Sequence, residues 1–131
     1  MSKNLLALFC FVVLCYAANG ASKYCDFTIT STEHFEETPE GPISAVWAIA
    51  DQVTAKKPST SNAKLEDDNL NNDVDYIEYE GNNCNVKVTL YTRENFKGRW
   101  ITYKLKNRKS GKINLSDYWT KNVSSYKIAY Y

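Results

Sequence analysis

Histidine is almost missing from this 131-residue chain, with His34 its single copy. A lone histidine at a turn position is far more often solvated than a general base. No motif sets a serine or cysteine beside it, so acid–base and nucleophilic catalysis have no constellation to rest on. We read the chain as non-enzymatic. Cysteine is scarce, with copies at 10, 15, 25 and 84 only. Two lone cysteines and one histidine beyond the first twenty residues make no zinc or redox centre. Long apolar runs are absent apart from Leu5 to Val13, too short to span a bilayer. Acids are nearly absent from the last third: beyond residue 83 there are only Glu94 and Asp117.

The apolar run has a use. Met1-Ser-Lys3 precedes it, and Ala18-Asn-Gly20 offers small residues at the −3 and −1 positions. This predicts a secretory signal peptide over residues 1–20, and hence a secreted, extracellular product over 21–131. A chain of that length supports one domain that buries roughly two-thirds of its unfolded surface. Cys10 and Cys15 leave with the leader. In an exported protein the default for Cys25 and Cys84 is a disulfide, with two free thiols the alternative. Asn114-Leu-Ser116 and Asn122-Val-Ser124 are N-glycosylation sequons.

Strand patterns dominate the remainder. Val86, Val88 and Leu90 alternate with Lys87, Thr89 and Tyr91, the period of a half-buried strand. Similar readings place strands at 26–31, 43–50, 74–80, 99–104 and 124–130, with short ones near 64–66 and 112–115. The Ala-rich stretch 43–53 also suits a short helix. Lys57-Pro-Ser-Thr-Ser-Asn62 reads as the clearest loop.

The most specific stretch is Tyr91-Thr-Arg-Glu-Asn-Phe96-Lys-Gly98, with Ser125 following in a later strand. Phe96 can fold back on Tyr91, and such ring pairs contribute roughly 0.5–1.5 kcal/mol beyond area burial. Gly98 permits a positive φ or a close backbone approach. Ser125 is placed to pin the folded hairpin by hydrogen-bonding its backbone. A second, weaker copy lies upstream: Phe27 to Glu37 aligns with Val88 to Gly98, and Asp68 to Tyr76 with Asp117 to Ser125. There Thr30 replaces the first aromatic, Glu37 the glycine and Tyr76 the serine. The two alignments differ in offset, so the first unit is longer in its middle. Cys25 and Cys84 each precede the first strand of their unit, so a bridge ties the two strand starts.

This spacing resembles the Greek-key signature of the βγ-crystallin superfamily. The resemblance covers nearly all of residues 21–131, and only the second unit matches well. It implies an all-β fold, a single βγ-crystallin-like sandwich of two Greek-key motifs, about 21–83 and 84–131. It implies a non-enzymatic structural or binding role. It also implies where calcium would bind: in a loop of pattern [Asn/Asp]-[Asn/Asp]-x-x-[Ser/Thr]-Ser, completed by an acid from the other motif's hairpin. Calcium favours six to eight oxygen ligands. In the first loop, Asn71-Asn72-Asp73-Val74-Asp75-Tyr76, the ligands would be Asp73 and Asp75, with Glu94 across, as one weak site. In the second, Thr120-Lys121-Asn122-Val123-Ser124-Ser125, they would be Asn122 and Ser124, with Glu37 or Glu36. Asx-rich loops also form turns through their own side chains without any metal.

Charge is sharply divided. Residues 21–83 carry four lysines against thirteen acids; residues 84–131 carry eleven Lys and Arg against two acids. Such asymmetry speaks to partners and solubility rather than to fold. The two halves can attract and dock within one molecule, or drive self-association between molecules. The basic run Arg93, Lys97, Arg99, Lys104, Lys106, Arg108, Lys109 and Lys112, with Trp100, Tyr103 and Tyr118 interleaved, is a candidate patch for an anionic glycan or membrane surface. Its stretch Arg108 to Lys112 is expected on a loop. Export makes nucleic acid a poor expectation. Two alternatives to the structural role follow: a secreted antimicrobial, toxin-like or inhibitor protein acting on anionic surfaces through the second motif, and a glycan-binding module.

Overall fold

The computed structural model describes residues 24–131, apart from the side chains of residues 33–36 and 44–45. Residues 1–20, read above as a signal peptide, with Cys10 and Cys15, and the side chains of His34 and Glu36 lie outside that description. Six strands carry the fold: β1 (Tyr24–Thr38), β2 (Gly41–Thr54), β3 (Ser59–Asn62), β4 (Tyr76–Arg93), β5 (Lys97–Asn114) and β6 (Ser125–Tyr130). A 3-10 turn at Leu65–Asp68 and a single helical turn α1 at Asp117–Thr120 complete it. All strand pairs are antiparallel.

β4 and β5 are long enough to serve two sheets in succession. In the first sheet the order is β2, β1, residues 76–80 of β4, then residues 110–114 of β5. In the second it is residues 97–105 of β5, residues 84–93 of β4, β6, then β3. Each sheet therefore takes its outermost strand from the other unit. β3 comes from the first unit and pairs with β6; residues 110–114 come from the second and pair with β4.

Alternation along the strands sends one face of each sheet inward. Cys25, Phe27, Ile29, Val53, Ile77 and Ile113 line the first sheet's inner face, and Val86, Val88, Leu90, Leu105, Tyr126 and Ile128 the second's. Leu65, Leu70, Val74 and Val123 close one end from the connecting loops. The Cys25–Cys84 disulfide ties the starts of the two units, with Cα atoms 5.6 Å apart. Gly81 lies opposite Cys25, and a Cβ there would strike the Tyr24 carbonyl. The link between the units therefore passes close against β1.

The internal repeat holds in the register. Thr30 faces Tyr76 and Tyr91 faces Ser125. The Asp75 N–H donates to the Thr30 carbonyl as the Ser124 N–H does to that of Tyr91, both at 2.9 Å.

Four expectations change. Ser59–Asn62, read as loop, is strand β3. Residues 64–66, read as a short strand, belong mostly to the 3-10 turn, where Leu65 drops into the core. The stretch 43–53 is strand throughout, not helix. Arg108 to Lys112 is strand, not loop, because β5 runs on to reach the first sheet. The first unit's extra length lies mainly in the β1–β2 arm: Thr30 faces Ala48, whereas Tyr91 already faces Trp100.

Candidate functional site

The second unit's hairpin is folded as its spacing requires. The Tyr91 and Phe96 rings meet edge to face, with centroids 5.8 Å apart. Asn95, Phe96 and Gly98 all take positive φ, at 58°, 59° and 81°. A left-handed phenylalanine is strained, so the turn needs outside support. Ser125 gives it: its buried hydroxyl donates to the Arg93 carbonyl at 2.6 Å and accepts from the Phe96 N–H at 3.1 Å. The Asn95 N–H donates to the Ala63 carbonyl at 2.8 Å. Thr92 Oγ1 accepts from the Arg99 N–H at 3.0 Å. Any Cβ on Gly98 would strike that same Thr92 oxygen.

In the first unit the chain does not fold over. β1 continues through a register shift between Ser31 and His34 and turns at Pro39-Glu40. Without an aromatic pair or a glycine, nothing holds a curled hairpin closed. Asp75 supplies a different link: its Oδ2 accepts from both the N–H and the hydroxyl of Thr32, at 2.7 Å each.

This bears on the calcium loops. The carboxylate at the side-chain ligand position is already engaged with its own unit's arm. Among the described residues, no three His, Cys, Asp or Glu side chains gather as a metal-holding group. One observation in the same loop favours a missing partner: Asn71 Oδ1 is buried with no hydrogen bond. Glu94 is half-buried at the turn of the other hairpin. In the second loop, Asn122 Nδ2 donates to the Tyr118 carbonyl at 2.6 Å, and the Ser124 hydroxyl lies 3.4 Å from Asn72 Oδ1. Glu37 is exposed on the β1 arm. The two loops run side by side, with the Asn72 N–H donating to the Val123 carbonyl and the Val74 N–H to that of Thr120.

The basic run is dispersed. Lys104 sits on the outer face of the second sheet, opposite Lys87. Arg93, Lys97 and Arg99 flank the hairpin, and Lys106, Arg108 and Lys109 mark where β5 crosses between sheets. Lys112 belongs to the first sheet. It lies opposite Glu78, with its Nζ 3.4 Å from the centroid of the Tyr76 ring. The outer face of that sheet is acidic: Asp26, Glu78 and Glu80 border a shallow depression of about 340 Å³. The sequence-based patch omitted Lys87 and Lys127. Each stands alone among apolar neighbours in the chain, and only their pairing across strands brings them together. Of the aromatics, Trp100 is exposed, Tyr103 points inward and Tyr118 rides on α1.

No protein-family model and no curated protein matches the chain. Solved structures do. The N-terminal domain of protein S aligns with 80% of this chain and 96% of its own, at 21% identity and a TM-score of 0.41. A βγ-crystallin domain from Flavobacterium johnsoniae aligns with 78% and 93%, at 17% identity and a TM-score of 0.43. A structure described under the evolution of the eye lens βγ-crystallin domain fold aligns with 85% and 89%, at 15% identity and a TM-score of 0.46. Likenesses this distant assign no residue a role. The chain's tie to the βγ-crystallin fold rests on its own geometry, the aromatic hairpin of Tyr91 and Phe96 pinned by Ser125 within a two-unit all-β sandwich.

Proposed function

We propose that the chain is an exported, non-enzymatic structural or binding protein of βγ-crystallin type, working through the surface of a rigid sandwich. The observation that carries this reading is the use of polar side chains as ties between strands and hairpins rather than as a reactive cluster. Ser125, Asp75 and Asp51 all hold strands or hairpins together. The Cys25–Cys84 pairing supports an oxidising compartment. Of the two sequons, Asn114 is exposed and open to a glycan, whereas Asn122 is tied to Tyr118.

A calcium ion held by Asp73, Asp75 and Glu94 is the second reading: the three carboxylates do not gather in the described structure, and the observation in its favour is the partnerless Asn71 Oδ1 in the same loop. Bound there, it would bridge the first unit's loop and the second unit's hairpin. The Asn122, Ser124 and Glu37 set has less support, with Asn122 engaged and Lys121 adjacent.

One preparation tests both. The full chain is expressed in a secreting host, and the medium is analysed by intact mass and thiol titration. The expected product begins at Ala21 and has no free thiol; a retained chain with titratable thiols overturns export. The secreted protein is then melted in millimolar calcium and in chelator. A ligand at 100 times its dissociation constant stabilises by about 2.7 kcal/mol. A calcium-dependent rise in Tm that Glu94→Gln abolishes establishes the site. Equal Tm values in both buffers remove calcium and leave the structural reading standing.

A further inference from the structure

We propose that the outer face of the second sheet is a docking surface for an anionic polysaccharide, a sulfated or uronate-bearing chain. This deepens the binding role proposed above and rests on it. Lys104, Lys87 and Lys127 lie on three adjacent strands, β5, β4 and β6, all pointing outward. Lys104 and Lys87 are directly opposite each other, and Lys127 pairs with Thr89, one step diagonally from Lys87. Like charges directly opposite on a sheet destabilise it. None of the three makes an ion pair among the described residues. The outward positions of all four strands of this sheet hold no Asp or Glu. The arrangement costs stability when bare and is relieved by a polyanion lying across it.

The rest of the face selects the kind of polyanion. Trp100 stands beside Tyr91 on the same face and is 68% exposed, a flat ring open to stacking. The Lys127 ammonium sits 4.2 Å from the centroid of the Phe96 ring, which holds its position while leaving it accessible. Thr89 and Thr102 join hydroxyls at 3.1 Å in the same cross-strand row as Lys127, between the Lys87–Lys104 pair and the Tyr91–Trp100 pair. Beyond Lys127, a shallow depression of about 300 Å³ is edged by Ser59 and Ser61 of β3. Lysines, an open indole and hydroxyls on one sheet face match sulfates or carboxylates, sugar rings and sugar hydroxyls in one extended chain. A second copy offering its acidic sheet would answer the lysines and leave Trp100 unmatched. A lipid surface would call for several aliphatic side chains, whereas the exposed large hydrophobics described on this face are two aromatic rings, Trp100 and, just past β6, Tyr131, whose ring centroid lies 5.9 Å from the Lys87 ammonium.

The test uses the secreted, oxidised protein on immobilised heparin, with a sulfonate cation exchanger as reference. Three variants are compared with the parent: K87S/K104S/K127S, K106S/R108S/K109S and Trp100→Ala. The two triples remove equal charge, and only the first touches the proposed face. We expect the first triple to lose heparin retention at low salt and the second to keep most of it. Trp100→Ala should weaken heparin binding severalfold without changing elution from the sulfonate resin. Equal losses in both triples, or no retention of the parent, overturn the proposal. Binding to phosphatidylserine vesicles without heparin binding reassigns the face to membranes. Salt-sensitive self-association, abolished by the first triple and unaffected by heparin, reassigns it to a second copy. Melting of the first triple at or above the parent's temperature, as expected once the opposed charges are gone, separates loss of docking from loss of the structural role.

Discussion

Ser125 shows how one small side chain can decide a local conformation. Its hydroxyl is fully buried and serves a carbonyl and an N–H on either side of a turn that contains a left-handed phenylalanine. Ser125→Ala removes the hydroxyl that serves both backbone groups, at about 1–3 kcal/mol for each group left buried and unsatisfied. We expect urea unfolding of this variant to show a loss of about 2–3 kcal/mol with an unchanged m-value. The matching change at exposed Ser116 should cost nothing measurable. A loss below about 0.5 kcal/mol for Ser125→Ala would mean that the ring pair and Gly98 hold the turn by themselves. The first unit offers the contrast: Tyr76 stands at the equivalent register position, and the hairpin it would pin is an extended arm instead.

At the scale of the element, β2 and β6 are joined across the sandwich by a polar link. Asp51 lies opposite Phe27 on the inward side of β2 and accepts from the Tyr126 phenol of β6, with Thr60 donating to its other oxygen at 3.2 Å. Burial, and then the bond to Asp51 and its charge, push the Tyr126 phenol far above its ordinary value. The unfolded chain releases this proton near pH 10, and the folded chain does so only well above that. The linked stability is therefore fully present below pH 10 and is lost as pH rises beyond it. Unfolding free energy measured from pH 8 to 11.5 should fall steeply above pH 10. Tyr126→Phe should be less stable at neutral pH and show a shallower alkaline fall. An identical alkaline slope in the variant would trace the effect to other tyrosines.

These elements were unequally legible in the sequence. The strands of the second unit announced themselves because alternation, the aromatic spacing and the glycine are all local. β3 did not: Ser59–Asn62 is a polar edge strand whose identity comes from β6, far away in the chain. The helix option over 43–53 failed because β1 offers that stretch a ladder along its length. Lys87 and Lys127 were invisible as a site for the same reason, since each is a single charge in its own strand. The calcium loops were legible as patterns, while the bond between Asp75 and Thr32 depends on an arm whose path no local signal gave.

Taken whole, the molecule turns its division of charge along the chain into opposed surfaces. The first sheet presents Asp26, Glu78 and Glu80 outward, and the second presents Lys87, Lys104 and Lys127. The exchange of outer strands has a consequence for how the protein can come apart. Neither unit owns a complete sheet, so neither half is expected to fold alone. Protease cleavage at Asn82-Asn83, in the exposed link between Gly81 and Cys84, would sever the backbone and leave two interlocked fragments joined through sulfur. We expect the nicked, oxidised protein to keep its far-ultraviolet spectrum and melt in one step, and reduction to collapse both fragments together. In the intact chain the chain-entropy model assigns the bridge about 4 kcal/mol; after the nick the same bond acts as a link between two fragments. A fragment that stays folded alone after reduction would show that the units are separable. The lent strands otherwise make the two units hostages to each other: divergence in one is tolerated only so far as the other can still complete its sheet.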